Sequence, residues 1–428
     1  MLSMLLIAAP LVGYGFTQAM SLFSEASRAA LEHKELAPGM NPLEGVLVPV
    51  FGSLYLVTTL LFPFVAIRPV SMEKQSGSLK LILQLRNSPL SIILLKAAAT
   101  FLAWSLAFST VILAIVWWKV LGGHAHLPEL FNLALGHSLY AFVILGLSFL
   151  ISSITGSSST AAIFVLGVTL GSWVLDFSAS TQSGETMRWL PTLSLTAALR
   201  NFERGLFSSP DAVRLLIIGF GSLLLSSVFI QIGKSTKEKI SFAGIVSIGC
   251  LALIALGAVF PFYRDLSEDR RNSLPIEDEA IFRALPHKVD IRIFLTPDDP
   301  RYRDLERQLL SKFRRTIPHV QVKLMDTGKT ALYGVGGTDN YGLNQYEYDG
   351  QVEQSRSTSP REILPIIHRL TGNAPPQSTN VYYPGYPLVA GSEAISCIFY
   401  LVFPLFFIAL WWWSYRLPRN FKLEVTNV

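Results

Sequence analysis

The residues of this chain best suited to act at a membrane surface lie in one polar stretch. It reads Ser71-Met72-Glu73-Lys74-Gln75-Ser76-Gly77-Ser78-Leu79-Lys80-Leu81-Ile82-Leu83-Gln84-Leu85, then Arg86-Asn87-Ser88-Pro89. At helical spacing Leu79, Ile82, Leu83 and Leu85 form an apolar face, with Lys80, Gln84 and Arg86 opposite. This pattern predicts a short interfacial helix, lying on the bilayer or against a partner. Gly77 suits a tight turn before it, and Ser88-Pro89 ends it and opens the next helix. The chemistry on offer is docking. A basic loop that only touches anionic lipid is the plainer alternative.

The other chemically capable residues make no reaction centre. No Gly-x-x-x-x-Gly-Lys-Ser/Thr phosphate cradle occurs, so ATP cannot be held by a P-loop in this chain. Gly334-Val335-Gly336-Gly337 lacks the strand and helix context of a nucleotide loop and reads as a flexible connection. His124, His126 and Glu129 lie close in sequence but have no clear third neutral ligand, and they read as solvated rather than metal-binding. His287, His319 and His368 are scattered, and no Gly-x-Ser-x-Gly elbow is present. Cys250 and Cys397, the only cysteines, fall in apolar runs and read as small fillers. No catalytic, cofactor-binding or metal-binding residue is therefore assigned, and the chain itself is not read as an enzyme.

The elements that must position the polar stretch are apolar. Eight runs are long enough for a hydrocarbon core of roughly 30 Å: Leu2–Phe23, Val46–Ile67, Leu90–Trp118, Leu133–Ile154, Thr160–Phe177, Leu215–Ile232, Ile240–Phe262 and Ala394–Tyr415. Those at Thr160 and Leu215 are short and are expected to stand upright or thin the bilayer. Half of the residues are hydrophobic and 15% are charged, which excludes an ordinary soluble protein. The first run is read as a span rather than a signal peptide, since Met1-Leu2-Ser3 carries no charge. Lys96, His137 and Asp176 fall near span ends, where snorkelling explains them, and no buried proton relay is visible.

Arg68–Lys96 carries five bases against the single acid Glu73, and the Gly233–Ile240 connection and the tail are also basic. Ser24–Gly45 carries four acids and two bases. The positive-inside bias places the basic segments and both termini in the cytoplasm. Residues 263–392 then lie outside, with 17 acids and 17 bases, like an ordinary soluble surface. That segment predicts an α/β fold: alternating strands at Val289–Leu295 and Val320–Met325, and a helix over Arg301–Ile317 between them. A parallel pair is expected, followed by a hairpin through Asp349-Gly350 and a helix over Pro360–Leu370. The division is 1–233, six spans; 234–262, a seventh; 263–392, an extracytoplasmic α/β domain; and 393–428, an eighth span with a cytoplasmic tail.

Glu73-Lys74-x-x-Gly77-Ser78-Leu79, a short helix and Ser-Pro-Leu before a span resemble the loop after the second helix of ABC type-2 transporter permeases. Arg188-Trp189-Leu190-Pro191 through Phe202-Glu203-Arg204-Gly205-Leu206 is similar to that family's external hairpin before its last span. The likeness covers nearly all of 1–233 and is nearest to the gliding-motility-associated branch. The 263–392 segment resembles, in shortened form, the extracytoplasmic auxiliary domain of the same systems, through Leu285-Pro286-His287-Lys288-Val289, Tyr341-Gly342 and Arg369-Leu370-Thr371-Gly372. Pro375, Pro376, Pro384, Gly385 and Pro387 stand where a longer sheet would continue. The family usually opens on a polar elbow helix before the first span, whereas residues 2–23 here already form the first apolar run.

The resemblance implies a helical polytopic permease in the bacterial cytoplasmic membrane, working as a dimer or with a second permease. A cytoplasmic ABC ATPase would hold the ATP and Mg and drive export. It also implies coupling residues at Glu73, Lys74, Gly77, Ser78, Leu79, Ile82, Leu83 and Leu85, and an external hairpin at Trp189, Phe202 and Gly205. The rival reading is a membrane-anchored accessory or scaffold whose external domain binds a ligand or partner without transport. A hydrolytic external domain is a third, for which no nucleophile and base are found.

Overall fold

The computed structural model describes residues 2–84, 88–181, 194–296, 299–325, 340–374, 383–391 and 393–416. Among these, eight helices are long and apolar enough to cross a bilayer. The chain is a multi-pass membrane protein of helical type carrying a small sheet region. It divides into two compact units, Met1–Gly171 with Ser209–Pro261 and Pro384–Val428, and Ser172–Ser208 with Phe262–Tyr383. The segment between the fifth and sixth spans therefore groups with the later polar region, although in the sequence it sits inside the six-span block.

In the first unit α1 spans Leu2–Glu32, and a π turn at Leu43–Leu47 leads into α2, Val48–Leu60. The rod continues as α3, Phe62–Ala66, and α4, Arg68–Ser76. Pro63 and Pro69 break it into pieces because each lacks the amide that would bond one turn back. After α5, Ser78–Gln84, come α6, Pro89–Val120, α7, Leu127–Ile154, and α8, Ser158–Thr181. Ser88 caps α6 by accepting from the Ser91 amide at 3.1 Å, with Pro89 in the first turn.

Two spans exceed the length their apolar runs suggest. Polar flanking residues join the helix, so α8 has 24 residues and a helix at Ser209–Phe229 has 21. Both helices are long enough to cross a bilayer. α7 likewise starts six residues before its apolar run. His137 consequently lies in the third turn, buried, with its ring 5.0 Å from that of Phe51, and not at a span end.

Between α8 and that helix lie α9, Leu195–Glu203, and β1, Leu206–Ser208; the Ser209–Phe229 helix is α10, and α11 is Thr236–Val259. The core of the first unit packs α1 on α2 and α6, and α7 on α10. The α7–α10 approach is close enough that a Cβ at Gly146 would sit 2.5 Å from the Gly219 carbonyl oxygen. Small residues permit such contact between membrane helices. No residue of α11 is buried within the protein.

An extended strap at 383–391 crosses this unit. Ser27 and Ser24 hydroxyls accept the Leu388 and Ala390 amides at 3.0 and 3.2 Å, and the Tyr386 amide donates to the Met40 carbonyl at 2.9 Å. The His124 and Tyr386 rings stack with their centroids 3.6 Å apart. Gly385 has φ +66°, and a Cβ there would meet the Ala37 carbonyl oxygen at 1.6 Å. Gly385→Ala is expected to destabilise the detergent-solubilised chain by more than about 2 kcal/mol, seen as a lower Tm. An unchanged Tm would mean that the strap contributes nothing to stability.

In the second unit β1 pairs antiparallel with β2, Tyr263–Asp265. A helix that the sequence reading did not anticipate, α12, follows at Ile276–Arg283. β3, Val289–Ile293, pairs in parallel with β4, Val320–Leu324, across α13 (Pro300–Leu305), a π turn and α14 (Ser311–Thr316). β5, Asn344–Tyr348, and β6, Gln351–Ser355, extend the sheet antiparallel, in order β4-β3-β5-β6. Their turn uses Asp349 and Gly350, both at positive φ, as the hairpin signal requires. α15 is Pro360–Leu370, and α16 (Glu393–Cys397) and α17 (Phe403–Arg416) form the last span of the first unit.

Val289, Ile291 and Ile293 alternate into a core with Leu305, Leu309, Phe313, Tyr346 and Ile363. Where α12 and α15 meet, buried His368 Nε2 lies 2.7 Å from Asp278 Oδ1.

Asp299 caps α13, accepting the Arg301 amide at 2.9 Å. Its carboxylate also takes the Arg301 guanidinium at 2.8 Å and the Tyr341 hydroxyl at 2.8 Å. The Arg301 hydrogen bond, joined by Tyr341, holds the Asp299 carboxyl below its ordinary range against the opposing pull of burial. A depressed carboxyl stabilises the fold above its unfolded value and loses that contribution as pH falls through its folded value. Asp299→Asn keeps a cap but removes the charge, so protection of the α13 amides should drop by about 1 kcal/mol at neutral pH. The deficit should vanish in acid. Hydrogen exchange of wild type and variant, compared at each pH, checks this; a pH-independent deficit would contradict it.

Candidate coupling site

The docking stretch folds as two short helices about one glycine. α4 ends at Gly77, whose φ of +78° is a left-handed helix cap. The Ser76 and Ser78 hydroxyls lie 3.2 and 3.4 Å from the Glu73 carbonyl oxygen and 2.8 Å from each other. One donates to the carbonyl directly while the other donates to it or to its neighbour, and side chains satisfy part of the helix end. α5 then folds against α4. Leu79 is buried, Ile82 and Leu83 are half-buried, and Lys80 and Gln84 are exposed, so the apolar face packs at least partly within the chain itself. Leu81 is 67% exposed and lies on the outward edge. Leu85 lies outside the described residues.

Two charged side chains fasten this element to neighbouring spans. Glu73 Oε1 pairs with Lys96 Nζ, about two turns into α6. Lys96 also donates to the Pro69 carbonyl at 3.3 Å. Lys74 Nζ donates to the carbonyls of Ser153 and Thr155, at 2.5 and 2.8 Å. These are terminal carbonyls of α7, which lack intrahelical partners and sit at the negative end of the helix dipole. Burial first, and the Lys239 ammonium second, push the Lys74 ammonium below the usual lysine range. A hydrogen bond of 2.7 Å between the Ser71 and Ser158 hydroxyls ties α4 to the start of α8. Motion of α4 is thus linked to α6, α7 and α8 by polar contacts rather than by apolar packing alone.

The segment read as an external hairpin is also well built. α9 is capped by Ser194, whose hydroxyl accepts the Ala197 amide at 3.2 Å. Phe202 is fully buried. Gly205 has φ +78°, and its carbonyl accepts the Leu266 amide at 2.8 Å. Asn272 Nδ2 donates to the Arg204 carbonyl at 2.7 Å. Arg200 and Asp176 form an ion pair at 2.5 Å. Trp189 and the rest of 182–193 lie outside the described residues, as do 326–339 with the Gly334 cluster.

The Glu73–Lys96 pair differs from the sequence expectation, in which Lys96 snorkels to the interface. Its signal was present: Glu73 is the lone acid of a basic stretch, and Lys96 is the first cation inside the following span. The Lys74 contact had no signal, because its partners are backbone carbonyls 79 and 81 residues away. Among the described residues no group of three or more His, Cys, Asp or Glu is placed to hold a metal. Comparisons with protein-family models, with curated proteins and with solved structures find no match.

Proposed function

We propose that this chain is the permease subunit of an ABC exporter-type transporter, of the gliding-motility-associated type-2 kind, with an extracytoplasmic α/β domain. ATP and Mg are bound by a separate cytoplasmic ATPase, and a second permease copy or paralogue completes the pathway. One observation carries this reading. The α4–Gly77–α5 element presents Lys80, Leu81 and Gln84 outward while Glu73 and Lys74 fasten it to α6 and α7. A partner pressing on α5 moves span ends directly. Leu79, Ile82 and Leu83 support α5 from its inner side, and Ser78 shapes its start.

Two experiments test the proposal. The full chain should co-purify with a P-loop ATPase expressed from the neighbouring reading frame; failure of every such pair to associate would remove the transporter assignment. With Cys250 and Cys397 replaced by Ser, cysteines introduced at Gln75 and Ser355 should label from opposite sides of the membrane. Labelling of both from one side would contradict the topology.

A further inference from the structure

A cleft of about 670 Å³ opens beside α4. Phe64, Ile163 and Leu166 form an apolar wall, and Arg68, Ser158 and Ser159 stand along it, with Met72 on the α4 side. Arg68 and Ser158 are the first residues of α4 and α8, so the polar groups gather where these helices meet the span ends. Among the described residues no carboxylate lines the cleft. Lys74 and Lys96 are engaged internally, but Arg68 is exposed and its guanidinium makes no hydrogen bond or ion pair among the described residues.

We propose that this cleft binds an anionic phospholipid of the leaflet bordering α4. The headgroup phosphate sits on the Arg68 guanidinium with the serine hydroxyls beside it, and an acyl chain lies along Phe64 and Ile163. A guanidinium matches phosphate geometry, and a long apolar wall has no use for a soluble anion. Because Met72 and Gln75 of α4 line the same cleft, the bound lipid braces the element that carries Glu73 and Lys74. This inference stands whether or not the chain transports anything.

Native mass spectrometry of the detergent-purified full chain, given equimolar phosphatidylglycerol and phosphatidylcholine, tests it. The wild type should retain phosphatidylglycerol preferentially. Arg68→Gln should lower that preference roughly fivefold, the size expected of one cation facing an anionic headgroup. Arg68→Lys should keep most of it, and Lys237→Gln, at an exposed site elsewhere, should not change it. Ser159→Trp, which fills the cleft without altering charge, should reduce retention of both lipids and carries the test if Arg68→Gln does not purify. Equal retention by wild type, Arg68→Gln and Ser159→Trp overturns the proposal. Displacement of phosphatidylglycerol by millimolar inorganic phosphate also overturns it, in favour of a soluble anion.

Discussion

If a partner ATPase docks on α5 as proposed, Lys74→Met is expected to leave it bound while lowering its stimulation by the chain at least tenfold. The reason is mechanical. Lys74 gives hydrogen bonds to two terminal carbonyls of α7, and no other contact described for α4 reaches that helix end through a charge. Removing the ammonium strips both acceptors of a charged donor, at a cost of about 2 kcal/mol after allowing for partial exposure. α5 itself loses nothing it presents to a partner, since Lys80 and Leu81 are untouched. Lys96→Met should act in the same direction through α6, by leaving Glu73 without its cation. Binding assays separate the two steps. Full stimulation by Lys74→Met would show that force does not pass through this contact.

Leu81→Asp should have the opposite signature: an intact chain that no longer holds the proposed ATPase. Leu81 is 67% exposed, so a carboxylate there does little to the free protein. In a docked complex it would be buried without a partner, at a cost of several kcal/mol and about a hundredfold or more in affinity. Leu79→Asp is a poor probe by comparison, because Leu79 is only 5% exposed and the change unseats α5 from its own chain. Gly77→Pro disrupts the turn from another side. A proline needs φ near −65° where the backbone holds +78°, and the change should cost about 3 kcal/mol locally. Gly77→Ala has open space for its Cβ and bears only the left-handed penalty of roughly 1 to 2 kcal/mol. The series should therefore rank Pro, then Ala, then Gly in loss of binding. Wild-type affinity for Leu81→Asp would mean that α5 does not face a partner.

Much of the frame was legible because its signals are local. Eight apolar runs marked eight spans, since a bilayer leaves helices few alternatives. Val289–Ile293 and Val320–Leu324 announced themselves by period-two alternation, and Asp349-Gly350 by turn chemistry. What escaped was long-range. Nothing in residues 172–208 indicates that they pack with 262–383, because their pairing partner, Tyr263–Asp265, is only three residues long. α12 was hidden by its short, acid-rich first turn, Glu277, Asp278 and Glu279, which reads as solvated loop. Within the candidate site the amphipathic face of α5 was readable. The fastening of α4 was not, since a lysine bonded to backbone carbonyls leaves no side-chain pattern to find.

The most direct measurement is the rate of ATP hydrolysis by the neighbouring-frame ATPase as the full chain, in lipid nanodiscs, is titrated into it. The expected result is saturable stimulation by the wild type, saturable binding with little stimulation by Lys74→Met, and neither with Leu81→Asp. An ATPase rate that stays flat through the wild-type titration, with no complex formed, would contradict the proposal that this membrane protein is driven by a partner ATPase.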